Sequence, residues 1–212
     1  YVDLGRLGDN EKVHIVRNKV NGVIGVRKYI ALDLEEIYLF LKENPNPYIP
    51  KIYECIQTNT NLIVIEEYLS GKNLEEILKE KIFSEKDAAD IIICLCNALY
   101  PLHNAKMPVI CRDLKAENVI LTNEGEVKLI DFDIARIYQP GKSKDTVMMG
   151  TQGYAAPEQF GFGQTDARTD IYALGVLLNY MLVRDFPMEK LTEGKFKTIV
   201  LKCTKINSED RY

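Results

Sequence analysis

The chain has 212 residues, 46% of them hydrophobic and 27% charged, with a formal charge of -4. Such a chain buries a sizeable core, either as one large domain or as two small lobes. The acidic balance argues against a nucleic-acid partner, since no dominant basic face is indicated.

The first third reads as β-rich with one helix. Strand patterns cover 13–16, 23–30, 52–57 and 62–66, with polar turn residues at 18–22 and 57–61. Between the second and third strands, 33–42 has helical chemistry. Asp33 is placed to cap it, Glu36 lies three residues on, and Ile37, Phe40 and Leu41 form an apolar stripe. From Gly71 onward the pattern turns helical. Ser84 and Asp87 form an expected capping box before an amphipathic helix running to about Asn104. A short hairpin follows, 119–121 and 127–130, then an apolar helix over 169–183 and a weaker one over 195–202. The natural boundary is the connector 69–72, which divides the chain into 1–69 and 70–212 and predicts a cleft between two lobes. The chain opens in a strand-like segment and closes on Arg211 and Tyr212 directly after a helical pattern, which reads as part of a longer protein.

Cysteine usage and apolar runs narrow the setting. Cys55, Cys94, Cys96, Cys111 and Cys203 are scattered with no C-x-x-C pair, so neither a disulfide framework nor a zinc site is indicated. Cys94 and Cys96 are expected as buried thiols in an apolar helix. The longest purely apolar run, 91–96, is too short to cross a bilayer, and the first residues carry no signal-peptide pattern. A reducing, cytoplasmic setting is expected.

The stretch Cys111-Arg112-Asp113-Leu114-Lys115-Ala116-Glu117-Asn118, followed by Asp131-Phe132-Asp133, carries the chemistry. Phosphoryl transfer asks a protein for a carboxylate that orients the attacking hydroxyl, cations on the moving phosphate, and oxygen ligands for a divalent metal. One short loop offers Asp113, Lys115 and Asn118, and Asp131 stands at the end of a hairpin strand.

These residues resemble the R-D-L-K-x-E-N catalytic loop and the D-F-G metal motif of eukaryotic-type serine/threonine protein kinases. The resemblance continues in register. Gly150 to Glu158 is similar to G-T-x-x-Y-x-A-P-E, Asp170 to Gly175 matches D-x-x-x-x-G, and Arg211 falls where the family pairs an arginine with the A-P-E glutamate, here Glu158. The implied fold is α+β and bilobal, a small β-rich N-lobe with one helix and a larger, mainly helical C-lobe. The implied roles are Asp113 on the substrate hydroxyl, Lys115 on the transferring phosphate, and Asn118 and Asp131 on Mg²⁺, with Mn²⁺ as the alternative ion. Val26-Arg27-Lys28 resembles the family's phosphate-binding strand, with Lys28 as its lysine, Arg27 as the alternative register, and Glu36 as the implied ion-pair partner. Main-chain groups of Glu67 and Leu69 are expected at the adenine edge, Val13, Val26 and Ile120 around the ring, and Gly8 at the phosphates. Glu66 occupies the gatekeeper position, which predicts a polar, closed back pocket.

The pattern departs from the family in three places: a glycine-poor loop in which Gly8 and Gly5 alone remain, Cys111 for the usual histidine, and Asp133 for the glycine of D-F-G. Thr151, together with Lys115 two residues after Asp113, favours a serine or threonine acceptor over tyrosine. The resemblance implies ATP and a protein substrate, the chain itself included. Arg112 beside Asp113 implies control by activation-segment phosphorylation, with Ser143 and Thr146 as candidate sites and Thr146 preferred. A pseudokinase scaffold and a small-molecule kinase of the same fold are the rival readings. The Lys-, Ile- and Asn-rich composition resembles bacterial members of the family.

Overall fold

The computed structural model describes residues 1–8, 11–141, 149–161 and 163–212. The chain is α+β and divides into two compact units, Tyr1–Ser70 and Gly71–Tyr212.

The first unit is a five-stranded antiparallel sheet with one helix. Its strands are β1 (Val2–Arg6), β2 (Val13–Arg17), β3 (Ile24–Ile30), β4 (Ile52–Gln57) and β5 (Leu62–Glu67), in the order β1-β2-β3-β5-β4. β-Branched residues recur along β3 and β5, and pairing places Val26 opposite Glu66, Lys28 opposite Val64 and Ile30 opposite Leu62. Residues two apart on a strand, and their cross-strand partners, share one face. That face buries Val26, Ile30, Leu62 and Val64 almost completely. Helix α1 (Glu35–Glu43) packs on β4 and buries Ile37, Tyr38 and Leu41. The expected Asp33 cap is corrected: Asp33 lies inside a 3-10 turn, Leu32–Leu34, and α1 starts after Leu34 without a side-chain cap. Glu35 and Glu36 in the first turn give the helix dipole the negative charge it favours.

The second unit is mainly helical. A short strand, β6 (Gly71–Asn73), leads into α2 (Leu74–Glu80), an element the sequence reading did not separate. Its signal was present: Asn73 and Glu76 form a reciprocal capping box, with bonds of 2.8 and 2.9 Å. Helix α3 (Glu85–His103) starts at Ser84, whose hydroxyl oxygen accepts the Asp87 N–H at 3.1 Å. Cys94 is partly exposed and Cys96 exposed, so the expectation that both are buried is corrected; the helix turns its Ala88, Ile91, Leu95, Ala98 and Leu102 stripe inward instead.

Next come β7 (Val109–Ile110), the hairpin of β8 (Val119–Thr122) and β9 (Val127–Leu129), and β10 (Arg136–Ile137). β6, β8 and β9 form one small sheet, and β7 pairs with β10. Helix α4 (Ala167–Val183) is apolar nearly all round, the pattern of a helix enclosed on every side. It packs on α3 and on α5 (Gly194–Cys203). At Gly175 an added Cβ would stand 2.3 Å from the Cβ of Cys203, so only glycine lets α5 approach this closely. Inside the unit, Asn179 is fully buried and ties down the α4–α5 connection. Its amide donates to the carbonyls of Asp185 and Lys190, and its oxygen accepts the Thr192 N–H. Among the described residues no helix is long and apolar enough to cross a membrane.

Candidate active site

In the first unit, Lys28 lies mid-strand on β3 with its side chain 13% exposed. Its ammonium stands 2.7 Å from a carboxylate oxygen of Glu66, a residue only 6% exposed. Here the sequence expectation is corrected. Glu36 is exposed in the first turn of α1, and the carboxylate on Lys28 comes from the neighbouring strand. Arg27, the alternative in register, points to the other face and pairs with Asp3. Val13 lies opposite Lys28 on β2, and Val26 is buried. Glu67 ends β5, its backbone N–H donating to the carbonyl of Lys51 at 2.8 Å, and Leu69 follows three residues before Lys72. Gly8, with φ of 68°, sits just past β1, where the left-handed backbone suits a residue without Cβ. Gly5, at φ of 127°, marks an irregularity in the β1–β2 register.

The second unit holds a closed polar cluster. Thr151 donates its hydroxyl to Asp113 Oδ1 at 2.7 Å. The Lys115 ammonium reaches Asp113 Oδ2 at 2.8 Å and Thr151 Oγ1 at 3.0 Å. The Asn118 amide nitrogen donates to Asp113 twice, to its backbone carbonyl and to Oδ2, both at 2.9 Å. A carboxylate has about four lone-pair positions, so three donors leave Asp113 room for roughly one more, on Oδ1.

Local backbone geometry aims these groups. Arg112 and Asp131 both take positive φ, 69° and 73°, a conformation that costs a non-glycine residue energy and is held by its surroundings. At Arg112 the support is Asp170, fully buried in the first turn of α4. Its carboxylate accepts the backbone N–H of Cys111 at 2.9 Å and of Arg112 at 2.8 Å, and meets His103 Nε2 at 2.7 Å. Cys111 is fully enclosed, and burial, with the Asp170 charge behind it, pushes its thiol pKa well up. It is an apolar filler of the loop. At Asp131 the support is its own Oδ1, which accepts the Asp133 N–H at 3.0 Å. The bond from Ile130 N–H to the Asn118 carbonyl, 2.8 Å, holds the Asp131 end of the hairpin beside the Asn118 loop. Ile120 lies in the same hairpin, on β8.

Two further residues carry the loop that contains Thr151. Gln159 is 1% exposed; its amide nitrogen donates to the carbonyls of Arg112 and Met149, and its oxygen accepts the Ala156 N–H. Glu158 forms a bidentate pair with Arg211, at 2.7 and 2.9 Å, and accepts the Thr169 hydroxyl at 2.8 Å. Gln159, Thr169 and His103 escaped the sequence reading because single polar residues at those positions carry no spacing signal. Arg112 is buried, and burial, helped by the nearby Arg136 charge, lowers the pKa of its guanidinium. Ser143 and Thr146 lie outside the described residues.

The donor set suits a divalent cation carried with a nucleotide. The Asn118 nitrogen is committed to Asp113, which leaves its side-chain oxygen as an acceptor, and Asp131 Oδ2 is a second hard oxygen. Among the described residues no cluster of three His, Cys, Asp or Glu side chains forms a metal cage. One or two protein oxygens completed by phosphates is the pattern Mg²⁺ prefers.

Comparison with known proteins agrees with this geometry. The family described as "Protein kinase domain" matches residues 12–211. The chain is 31% identical over 204 residues to "Protein kinase C zeta type" of Oryctolagus cuniculus, covering 90% of this chain and 34% of that protein. It is 38% identical over 130 residues to "Probable serine/threonine-protein kinase PknB" of Corynebacterium glutamicum, covering 59% and 20% respectively. With "Probable serine/threonine-protein kinase PBL8" of Arabidopsis thaliana it shares 31% over 208 residues, covering 92% and 50%. The chain thus spans half or less of the length of each of these relatives. The shared sequence and the cluster around Asp113 together place the chain in the protein kinase domain family.

Proposed function

We propose that this chain is the catalytic domain of a serine/threonine protein kinase, transferring the γ-phosphoryl group of ATP to a serine or threonine hydroxyl of a protein. The observation that carries this reading is the closed cluster of Asp113, Lys115, Asn118 and Thr151. Asp113, with one acceptor position open on Oδ1, receives the hydrogen bond of the incoming hydroxyl and turns its oxygen toward the phosphorus. Lys115, ion-paired with Asp113, offers positive charge where negative charge builds on the moving group. Asn118 fixes the Asp113 rotamer, and Thr151 ties the activation segment to the same carboxylate. Asn118 and Asp131 would hold Mg²⁺, or Mn²⁺ in its place, which when bound with ATP neutralises charge on its phosphates. Lys28 would take phosphate oxygens, Gly8 would let backbone approach them, and Val13, Val26, Ile120 and the main chain of Glu67 and Leu69 would receive the base. Five free thiols support a reducing compartment, the cytoplasm.

Regulation by phosphate on Ser143 or Thr146 is part of the same reading. Arg112, with Arg136 close enough to influence its ionisation, supplies positive charge that a phosphate would relieve. One experiment tests the whole. Wild-type protein and D113N are incubated with radiolabelled ATP, Mg²⁺ and a generic basic protein, and the products mapped by mass spectrometry. The expected loss for D113N is about 10²–10⁴-fold in transfer, with nucleotide binding retained. Wild-type protein that binds nucleotide yet labels no protein would refute the kinase reading. Labelling of the chain confined to segments other than 142–148 would remove the regulatory one.

A further inference from the structure

We infer that Glu66 is the positioning residue for Lys28, so that the sheet itself, rather than helix α1, orients the lysine. The inference deepens the kinase reading and rests on it for the role of Lys28. Glu66 and Lys28 lie on adjacent antiparallel strands, with Val26 opposite Glu66 and Val64 opposite Lys28. This register puts the two side chains diagonally on one face, a separation that long side chains bridge. They meet at 2.7 Å between exposures of 13% and 8%, a pair largely withdrawn from water. The apolar surroundings, Val26 at 5% and Val64 at 0% exposed, make an unpaired charge there costly, which holds the two ions on each other. Glu36, in contrast, is exposed in the first turn of α1.

The consequence is functional. A lysine held by a carboxylate on a helix loses its orientation when that helix moves. A lysine held by the next strand keeps it as long as the sheet persists, because the β3–β5 hydrogen bonds fix both backbones. The orientation of Lys28 is therefore independent of where α1 stands. Glu66 also spends its charge inward, which makes its place on β5 an ionic contact rather than an open apolar recess.

The test uses the whole chain as wild type, E66Q, E66D and E36Q. Three quantities are read: kcat and KM for ATP, thermal melting, and acetylation of Lys28 in nucleotide-free protein by mass spectrometry. E66Q is expected to raise KM for ATP about tenfold and to speed Lys28 acetylation, with E66D recovering most of both. A purely stabilising role would lower the melting temperature and leave KM and acetylation in place, which would overturn the inference. A larger effect of E36Q than of E66Q would overturn it too. Should E66Q not fold, Lys28 protection in E36Q decides: loss of protection refutes the pairing, and retained protection supports it. If wild-type protein transfers no phosphate, the kinase reading fails, while the acetylation data still decide which carboxylate holds Lys28.

Discussion

Replacing Arg211 with methionine keeps most of the side chain's length and removes its charge and all its donors. In the folded chain the Arg211 side chain is fully enclosed and that of Glu158 is 10% exposed. The guanidinium makes two bonds to Glu158 and donates to the carbonyls of Arg168, Lys205 and Ile206 at 2.9, 2.8 and 3.1 Å. Removing one partner of a buried ion pair strands the other, at about 3–5 kcal/mol. With an m-value of roughly 3 kcal/mol/M in urea, the unfolding midpoint of R211M should fall by about 1–1.7 M. The decisive comparison is with R211M/E158Q. Glutamine can still accept the Thr169 hydroxyl but leaves no stranded anion, so the double variant should recover about 1–2 kcal/mol over R211M. Equilibrium urea unfolding, followed by circular dichroism, reads both. An R211M midpoint within 0.3 M of wild type, about 1 kcal/mol on the same scale, would refute the assignment of the pair as a structural anchor. A double variant less stable than R211M would refute the stranded-charge account.

T151V removes the hydroxyl that links Asp113 to the activation segment while keeping the shape of the side chain; kcat should fall about 10–100-fold with KM for ATP nearly unchanged, and steady-state kinetics showing a rise in KM instead would move Thr151 to nucleotide binding. Burial raises the Cys203 thiol from an ordinary 9.0 to about 11, with the nearby Cys96 contributing next. Between those values the folded chain keeps a proton that the unfolded chain has released, so stability present below pH 9 is lost as pH rises toward 11. The loss should be about 2 kcal/mol and the slope flatter in C203A, and parallel stability–pH curves for the two proteins would contradict this.

Strands β2 to β5, helices α3 and α4 and the Asp113 loop were legible because each carries a local signal. Alternation marks β3, a stripe marks α3, and closely spaced Asp113, Lys115 and Asn118 mark the chemistry. Helix α2 has its own capping box, Asn73 to Glu76, yet at seven residues its periodicity is too short to stand out. Asp33 illustrates the opposite error: a residue fit to cap does so only if its neighbours adopt cap geometry, and here they close a 3-10 turn instead.

The order and chemical identity of the catalytic groups belong to the sequence itself, because the reacting carboxylate, its lysine and its amide lie within six residues of one loop. Partners brought from distant positions belong to the tertiary structure alone. Asp170 lies 58 residues from the Arg112 N–H it accepts, Arg211 53 residues from Glu158, and Thr151 38 from Asp113. Lys28 shows why the distinction matters. Its need for an anion follows from its place on an apolar strand, but several glutamates could meet that need. Strand register chose Glu66, because two side chains on one sheet face meet wherever the backbone hydrogen bonds set them, whatever their separation along the chain.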